Sequence, residues 1–319
     1  MSVGTNIRKR RYELRLSQQE LADALGYKTR STIAKIESGE NDLTQRKLAR
    51  FAEALDTTVE ALITGGAALQ RLPDAPAGEA APAPERPGGG RTAAVILAGG
   101  KSSRNRQNIP SQFIHILGKP VIVYCLEAYQ AHPAVDEIYI VCLKGWDQIV
   151  EAYAEQYRIT KLKGLIPGGP SGILSVRNAV EYLSARLNGD DIVILQEATR
   201  PMVTVDMISK LLQATYENGS ANICHPMRDY MQFAVKGGKP AYVDRDTLVE
   251  LQSPEAYRLN LITGVFEEAR RRGHSLTEST CAMLRYTLGR DINFIEGSVN
   301  NIKIVRQEDI AVFEALVKG

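Results

Sequence analysis

The chain has 319 residues, 24% of them charged and 44% hydrophobic, and a formal net charge of +2. That length suits two domains with a sizeable core, and so small a charge excludes nucleic-acid binding by bulk electrostatics, leaving only a local basic patch for that role. Cys125, Cys142, Cys224 and Cys281 form no C-x-x-C pair, and His115, His132, His225 and His274 lack zinc-ligand spacing, so the expectation is a reduced, cytoplasmic protein with buried thiols.

The opening MSVGTNIRKRRYEL is basic without a following apolar segment, and no later run is long enough to span a bilayer, so neither secretion nor membrane insertion is expected. The first 64 residues read as helices. In RLSQQELADALG, Ser17 is an N-cap and Glu20 completes a capping box; Leu21, Ala22 and Leu25 form the inward stripe, and Gly26 ends the helix. STIAKIESG starts at a cap on Arg30 or Ser31, buries Ile33, Ala34 and Ile36, and stops at Gly39. Two short helices joined by a few residues with a glycine are a helix-turn-helix arrangement. LTQRKLARFAEAL and TTVEALI supply two more helices.

Over residues 6 to 63 the pattern R-x-x-L-S-Q-x-E-L-A, then G, then T-I-x-x-I-E-x-G resembles the phage-repressor-like helix-turn-helix family. The resemblance implies that Gln18 faces phosphate or base at the start of the second helix. It places Lys28, Thr29, Arg30, Thr32 and Lys35 on or before the third helix, toward the major groove of double-stranded DNA. Arg10 or Arg11 then pairs with Glu37 in a structural role. The cations around the third helix favour DNA over a purely protein-binding module.

From Gly65 to Arg91 the text GGAALQRLPDAPAGEAAPAPERPGGGR has no aromatic or β-branched residue. Such a segment cannot bury enough apolar surface to offset its ordering entropy, so it reads as a flexible linker with ends on the order of 30 Å apart. The expected division is 1–64, a linker at 65–91, and 92–319.

After the linker the periodicity changes. TAAVILAGG, EIYIVCL, LKGLIPGG, DIVILQEA and ANICHPM are short apolar runs; they alternate with the helical patterns VIVYCLEAYQAH, WDQIVEAYAEQY, ILSVRNAVEYLSARL and VDMISKLLQATYENG. Strands apolar on both faces, each followed by a helix, predict an α/β unit with a mostly parallel sheet covered on both sides. Ligands in such sheets lie beyond the carboxyl ends of the strands, which directs attention to Ala98–Arg104, Gly168–Ser175 and Glu197–Pro201. The Gly99-Gly100 turn alone is a weak signal, lacking both a P-loop ending and G-x-G-x-x-G spacing. MQFAVKGGKPAYVDR reads as a β-hairpin around Gly237-Gly238.

Residues 92 to 318 resemble the 2-C-methyl-D-erythritol 4-phosphate and ribitol 5-phosphate cytidylyltransferases, nucleotidyltransferases with a Rossmann-like sheet. The resemblance rests on GKPVIVYCLEAYQAHPAVDEIYIV, on GG followed by SVRNAV, on QEATRP where the family has H-D-A-A-R-P, and on PMRD, VDRDTLVELQSPEAY and NNIKIVRQEDI, in family order. It implies attack of a sugar-alcohol phosphate on the α-phosphate of CTP with release of pyrophosphate, assisted by Mg²⁺ and linked to isoprenoid-precursor or CDP-alditol synthesis. Leu97, Ala98, Gly99 and Gly100 would line the nucleotide, and Arg104 would face the triphosphate. Gly168, Gly169 and Ser175 would hold the base. Glu197 takes the place of a metal-binding Asp; Arg200, Asp229 and Arg245 would serve the sugar phosphate, and Lys303 would bridge toward the α-phosphate. The hairpin falls where the family projects an arm that clasps a second subunit, so a homodimer presenting two DNA-binding heads is expected.

Two features leave alternatives open. Ser111 stands at the lysine of the family's P-K-Q, one of two cations expected to stabilise the transition state. The loop LAGGKSSR also looks like that of the molybdenum-cofactor guanylyltransferases, which keeps guanine beside cytosine as the base. The functional expectations are a cytidylyltransferase fused to a DNA-binding head, a transcription regulator that senses CTP or a CDP-sugar without turnover, or an inert dimerisation platform.

Overall fold

The computed structural model describes residues 3–39, 43, 45–64, 84, 86, 89–101, 109–227, 232–276 and 279–318. Among the described residues five helices come first: α1 (Val3–Glu13), α2 (Gln18–Ala24), α3 (Arg30–Ser38), α4 (Gln45–Ala54) and α5 (Val59–Thr64). The capping box on α2 forms in both directions: Ser17 Oγ accepts from Glu20 N at 3.1 Å, and Glu20 Oε2 accepts from Ser17 N at 2.7 Å. α3 begins at Arg30 after an extended Thr29 that makes no side-chain cap bond. Ile33 and Ile36 are buried as the stripe predicts, whereas Ala34 is only half-buried. α1 approaches α3 so closely that a β-carbon on Gly4 would lie 2.3 Å from Ile36 O and 2.8 Å from Glu37 O.

Most of the segment read as a linker lies outside the described residues. Its final part is attached to the α/β unit: Arg86 forms a two-pronged ion pair with Asp136, at 2.8 and 3.1 Å.

This second unit runs β1 (Thr92–Ala98), the short pair β2 (His115–Ile116) and β3 (Lys119–Pro120), α6 (Val121–Ala131), β4 (Glu137–Cys142), α7 (Asp147–Gln156), β5 (Leu162–Pro167), α8 (Gly172–Ser184), β6 (Ile192–Glu197), α9 (Val205–Asn218) and β7 (Ser220–Pro226). Then come β8 (Gln232–Lys236), β9 (Lys239–Val243), β10 (Val249–Arg258), α10 (Leu259–Arg272), α11 (Thr280–Leu288), β11 (Phe294–Glu296) and α12 (Gln307–Lys318). Seven strands form one sheet in the order β11-β7-β10-β6-β1-β4-β5. β10 runs antiparallel to both neighbours and the other pairings are parallel.

Both faces of the sheet are covered, which is why the central strands are apolar throughout. Alternate residues of β1 illustrate it: Ala94 and Ile96 pack with residues of α6, α7 and α9 on one face, while Ala93 and Val95 pack with α8, α10 and α11 on the other. The parallel registers Ala98 with Cys142, Cys142 with Pro167, and Leu97 with Glu197 bring four carboxyl ends to one edge. The loops that leave those ends build the crevice.

The β8–β9 hairpin forms as predicted, with Gly237 and Gly238 at φ +59° and +78°, the left-handed conformation a two-residue hairpin turn requires. Phe233 and Tyr242 oppose each other on it with ring centroids 5.9 Å apart, and these two and Val235 are each more than half exposed. The four cysteines are free and buried. Among the described residues no helix is long and apolar enough to cross a membrane.

Candidate active site

The first wall of the crevice is the turn after β1. Gln112 anchors it, its side-chain Nε2 donating to Ala98 O and Gly100 O, both at 2.8 Å. Ser111, in the same single helical turn as Gln112, is 1% exposed and offers no cation to the crevice. Leu97 and Gly99 are half-buried, Ala98 is buried, and Gly100 is exposed at the mouth. Arg104 lies outside the described residues.

The second wall is the turn between β5 and α8. Gly168 N donates to Cys142 O at 3.0 Å, and Gly169 N donates to Ser175 Oγ at 3.0 Å. The Ser175 hydroxyl donates in turn to Ser171 O at 3.0 Å. The Ser175 hydroxyl and the Gly168 and Gly169 N–H groups are thus engaged in shaping the turn. A β-carbon on Gly169 would sit 2.7 Å from Leu174 C, so the backbone crossing there requires glycine. The two walls touch: a β-carbon on Gly99 would meet Gly168 Cα at 3.4 Å.

Charge gathers at the end of β6. Lys303 Nζ donates to Glu197 Oε1, and Arg200 Nε donates to Glu197 Oε2 at 3.0 Å. Burial disfavours the Glu197 charge, but the Lys303 ammonium and the Arg200 guanidinium outweigh it and hold the carboxyl below the usual carboxylate range. Arg200 is only 6% exposed. Besides Glu197 it donates to Asn301 O at 2.7 Å and lies 3.6 Å from Glu250. Its nitrogens thus organise the protein, where the resemblance places a sugar-phosphate contact. Lys303, 106 positions from Glu197, is delivered by a segment that docks through Ile304 N to Thr199 O at 2.8 Å and through Asn301 Nδ2 to Ser253 O at 2.8 Å.

Arg245 is exposed on the turn after the hairpin, and the ion pairs of this cluster among the described residues do not include it. Asp229 lies outside the described residues. Asn301, Ser253, Gln112 and Gln196 were not assigned from sequence, although each falls within or beside a motif of the resemblance; uncharged side chains carry no chemical signature until their partners are known.

Among the described residues no group of three His, Cys, Asp or Glu is placed to hold a metal ion. That suits magnesium carried by a triphosphate, which asks one or two carboxylates of the protein and takes its other oxygens from phosphate and water. Glu197, ionised and at the crevice, fits that limited demand.

In the helical unit Arg11, not Arg10, pairs with Glu37, through Nε at 2.6 Å and Nη2 at 3.1 Å. Arg10 instead donates to Leu55 O and Asp56 O. Gln18 Nε2 donates to Glu37 Oε2 at 2.9 Å, so this side chain braces α2 against α3. Lys28, Thr29, Arg30 and Lys35 are exposed and Thr32 is half-buried.

A family model described as 2-C-methyl-D-erythritol 4-phosphate cytidylyltransferase matches residues 92–319, and one described as helix-turn-helix matches residues 7–62. The chain is 32% identical over 229 residues to a ribitol-5-phosphate cytidylyltransferase of Lacticaseibacillus paracasei, covering 70% of this chain and 97% of that protein. It is 28% identical over 231 residues to a 2-C-methyl-D-erythritol 4-phosphate cytidylyltransferase of Clostridium botulinum, covering 72% and 98%. A solved 4-diphosphocytidyl-2C-methyl-D-erythritol synthase from Anaerococcus prevotii shares the fold, with a TM-score of 0.62 at 20% identity over 72% of this chain and 97% of that one. With its crevice, its helical head and these relatives taken together, the chain belongs to the 2-C-methyl-D-erythritol 4-phosphate cytidylyltransferase family and carries a helix-turn-helix domain ahead of the family domain.

Proposed function

We propose that the larger domain transfers CMP from CTP to a sugar-alcohol phosphate in the cytoplasm, and that the helix-turn-helix head binds double-stranded DNA. The observation that carries the first part is the Lys303–Glu197–Arg200 cluster, set at the carboxyl end of β6 beside the glycine turns after β1 and β5. The acceptor's phosphate oxygen attacks the α-phosphorus, the bond from that phosphorus to the bridging oxygen breaks, and pyrophosphate leaves. Such a reaction asks the protein mainly to place anions together and to neutralise charge. The turns around Gly99 and Gly168 receive the nucleotide. Lys303 leaves Glu197 to meet the α-phosphate, and Arg200 keeps Glu197 in place while it does so. Magnesium held by Glu197 and the triphosphate would neutralise charge on the phosphates.

The exposed aromatic and aliphatic residues of the β8–β9 hairpin suit an arm that packs on a second copy. A twofold dimer offers two heads to a pseudo-palindromic site, with Lys28, Thr29, Arg30 and Lys35 toward the groove and phosphates.

One observation favours a second reading, in which the domain senses CTP or a CDP-sugar without turnover. Ser111 is buried and uncharged where the resemblance leads one to expect a lysine. Pyrophosphate release from CTP and Mg²⁺ with ribitol 5-phosphate or methylerythritol phosphate, run beside Ser111→Lys, separates the two. Turnover by the parent chain supports the transferase; turnover by the variant alone, with CTP bound by both, supports the sensor.

A further inference from the structure

We propose that Gln196 is a positioning residue for the transfer step, its single side-chain amide fixing the turn at 197–200 that carries both Glu197 and Arg200. The inference rests on the transferase reading above. Gln196, next to last in β6, is wholly buried. Its Oε1 accepts from the Tyr129 hydroxyl at 2.9 Å. Its Nε2 lies 2.9 Å from Glu197 O, 3.2 Å from Arg200 O and 3.2 Å from Ser253 Oγ, three acceptors that share its two N–H bonds. The same turn is held from two further sides: Glu197 N donates to Ser253 Oγ at 3.1 Å, and Cys125 Sγ donates to Arg200 O at 3.3 Å.

The chemistry asks for one planar group with an acceptor at one corner and two N–H bonds at the other, at the reach of a glutamine. An ionised glutamate has no donor, a leucine has neither function, and a neutral imidazole has one donor and one acceptor. Histidine, which the family pattern H-D-A-A-R-P carries here, thus makes fewer of these bonds. What the amide fixes is passed on through Arg200, whose Nε holds Glu197 Oε2 and whose Nη1 holds Asn301 O, two residues before Lys303. The backbone of one short turn therefore sets where the carboxylate lies relative to Lys303. None of these bonds involves Gly168, Gly169 or Ser175, which form the β5–α8 side of the crevice; the turn meets the β1 side through its backbone, Ala198 N donating to Leu97 O at 3.2 Å.

The test is steady-state kinetics of the full chain with CTP, Mg²⁺ and ribitol 5-phosphate, comparing Gln196→Leu, Gln196→Glu, Tyr129→Phe and the Gln196→Leu/Tyr129→Phe double variant. Misplacement of reacting groups by about 1 Å costs up to about 100-fold, so kcat should fall roughly 10- to 100-fold in both Gln196 variants while KM for CTP stays within about twofold. Tyr129→Phe, which removes one bond and keeps the ring, should lose less, and the double variant should be no worse than Gln196→Leu. An unchanged kcat in Gln196→Leu, full activity in Gln196→Glu, or a KM for CTP that rises in step with the loss would overturn the proposal. If circular dichroism shows the Gln196 variants unfolded, Tyr129→Phe decides, and parental kcat there overturns it. A parent chain without turnover on either acceptor removes the transferase reading and this inference together; a working parent with an indifferent Gln196 removes the inference alone.

Discussion

At the scale of single residues, the proposed transfer turns on one carboxylate and its two cations. Removing the Lys303 ammonium should lower kcat/KM by about 10²- to 10³-fold, the range seen when one preorganised transition-state donor is lost, with CTP still bound. The pH dependence has a definite sign. Glu197 sits below the ordinary carboxylate range despite its burial because Lys303 and Arg200 stabilise the charged form. Its stabilising contribution is present above the unfolded carboxylate pKa and is lost as pH falls through the lower folded value. Lys303→Ala should therefore move the acid limb of its residual kcat/KM profile to higher pH; an unmoved limb would show that another group sets it. Gly169→Ala should raise KM for CTP, since a β-carbon 2.7 Å from Leu174 displaces the turn. Much of this was legible, because Glu197, Arg200 and Lys303 are charged residues at strand ends or in a recurring motif. Gln196, Ser253 and Asn301 were not, because a buried amide or hydroxyl declares its role only through partners tens of positions away.

At the scale of elements, the parallel strands were readable from their two-sided apolar runs, and β10 was not. VELQSPEAYR carries Glu250, Gln252, Ser253 and Glu255 into a central strand, where they serve the site and its neighbours; Glu255, for example, accepts from Asn222 Nδ2 and the Tyr257 hydroxyl, both at 2.8 Å. α1 hides its packing for a related reason, burying Asn6 and Arg11 as well as Val3 and Ile7. Its contact with α3 leaves no room for a methyl group, so Gly4→Ala should lower the melting temperature of the helical head and weaken its DNA binding while leaving CTP affinity unchanged. The end of α6 supplies a test by pH. Burial, then Lys161 and Arg86, push the His132 pKa down to about 4, from 6.5. The contribution of such a histidine is fully present above 6.5 and is lost as pH falls from 6.5 toward 4, because the unfolded chain takes up the proton near 6.5 and the folded chain only near 4. The slope is at most about 1.4 kcal/mol per pH unit. Urea titrations between those limits should give a shallower slope for His132→Gln than for the parent chain.

At the scale of the whole molecule, the proposed function carries a nucleotide-handling domain and a DNA-binding head on one chain and pairs two such chains through the β8–β9 arm. Replacing Phe233, Val235 and Tyr242 by serine should convert the proposed dimer to a monomer in light scattering and weaken binding to a palindromic duplex more than to a single half-site, because two heads on one dimer gain from effective concentration. Product identity decides whether CMP is transferred at all: CTP, Mg²⁺ and ribitol 5-phosphate or methylerythritol phosphate are incubated with the full chain and followed by ³¹P NMR. A transferase gives a CDP-alditol and pyrophosphate appearing in equal amounts, with both signals lost in Glu197→Gln. CTP left intact with either acceptor would contradict it.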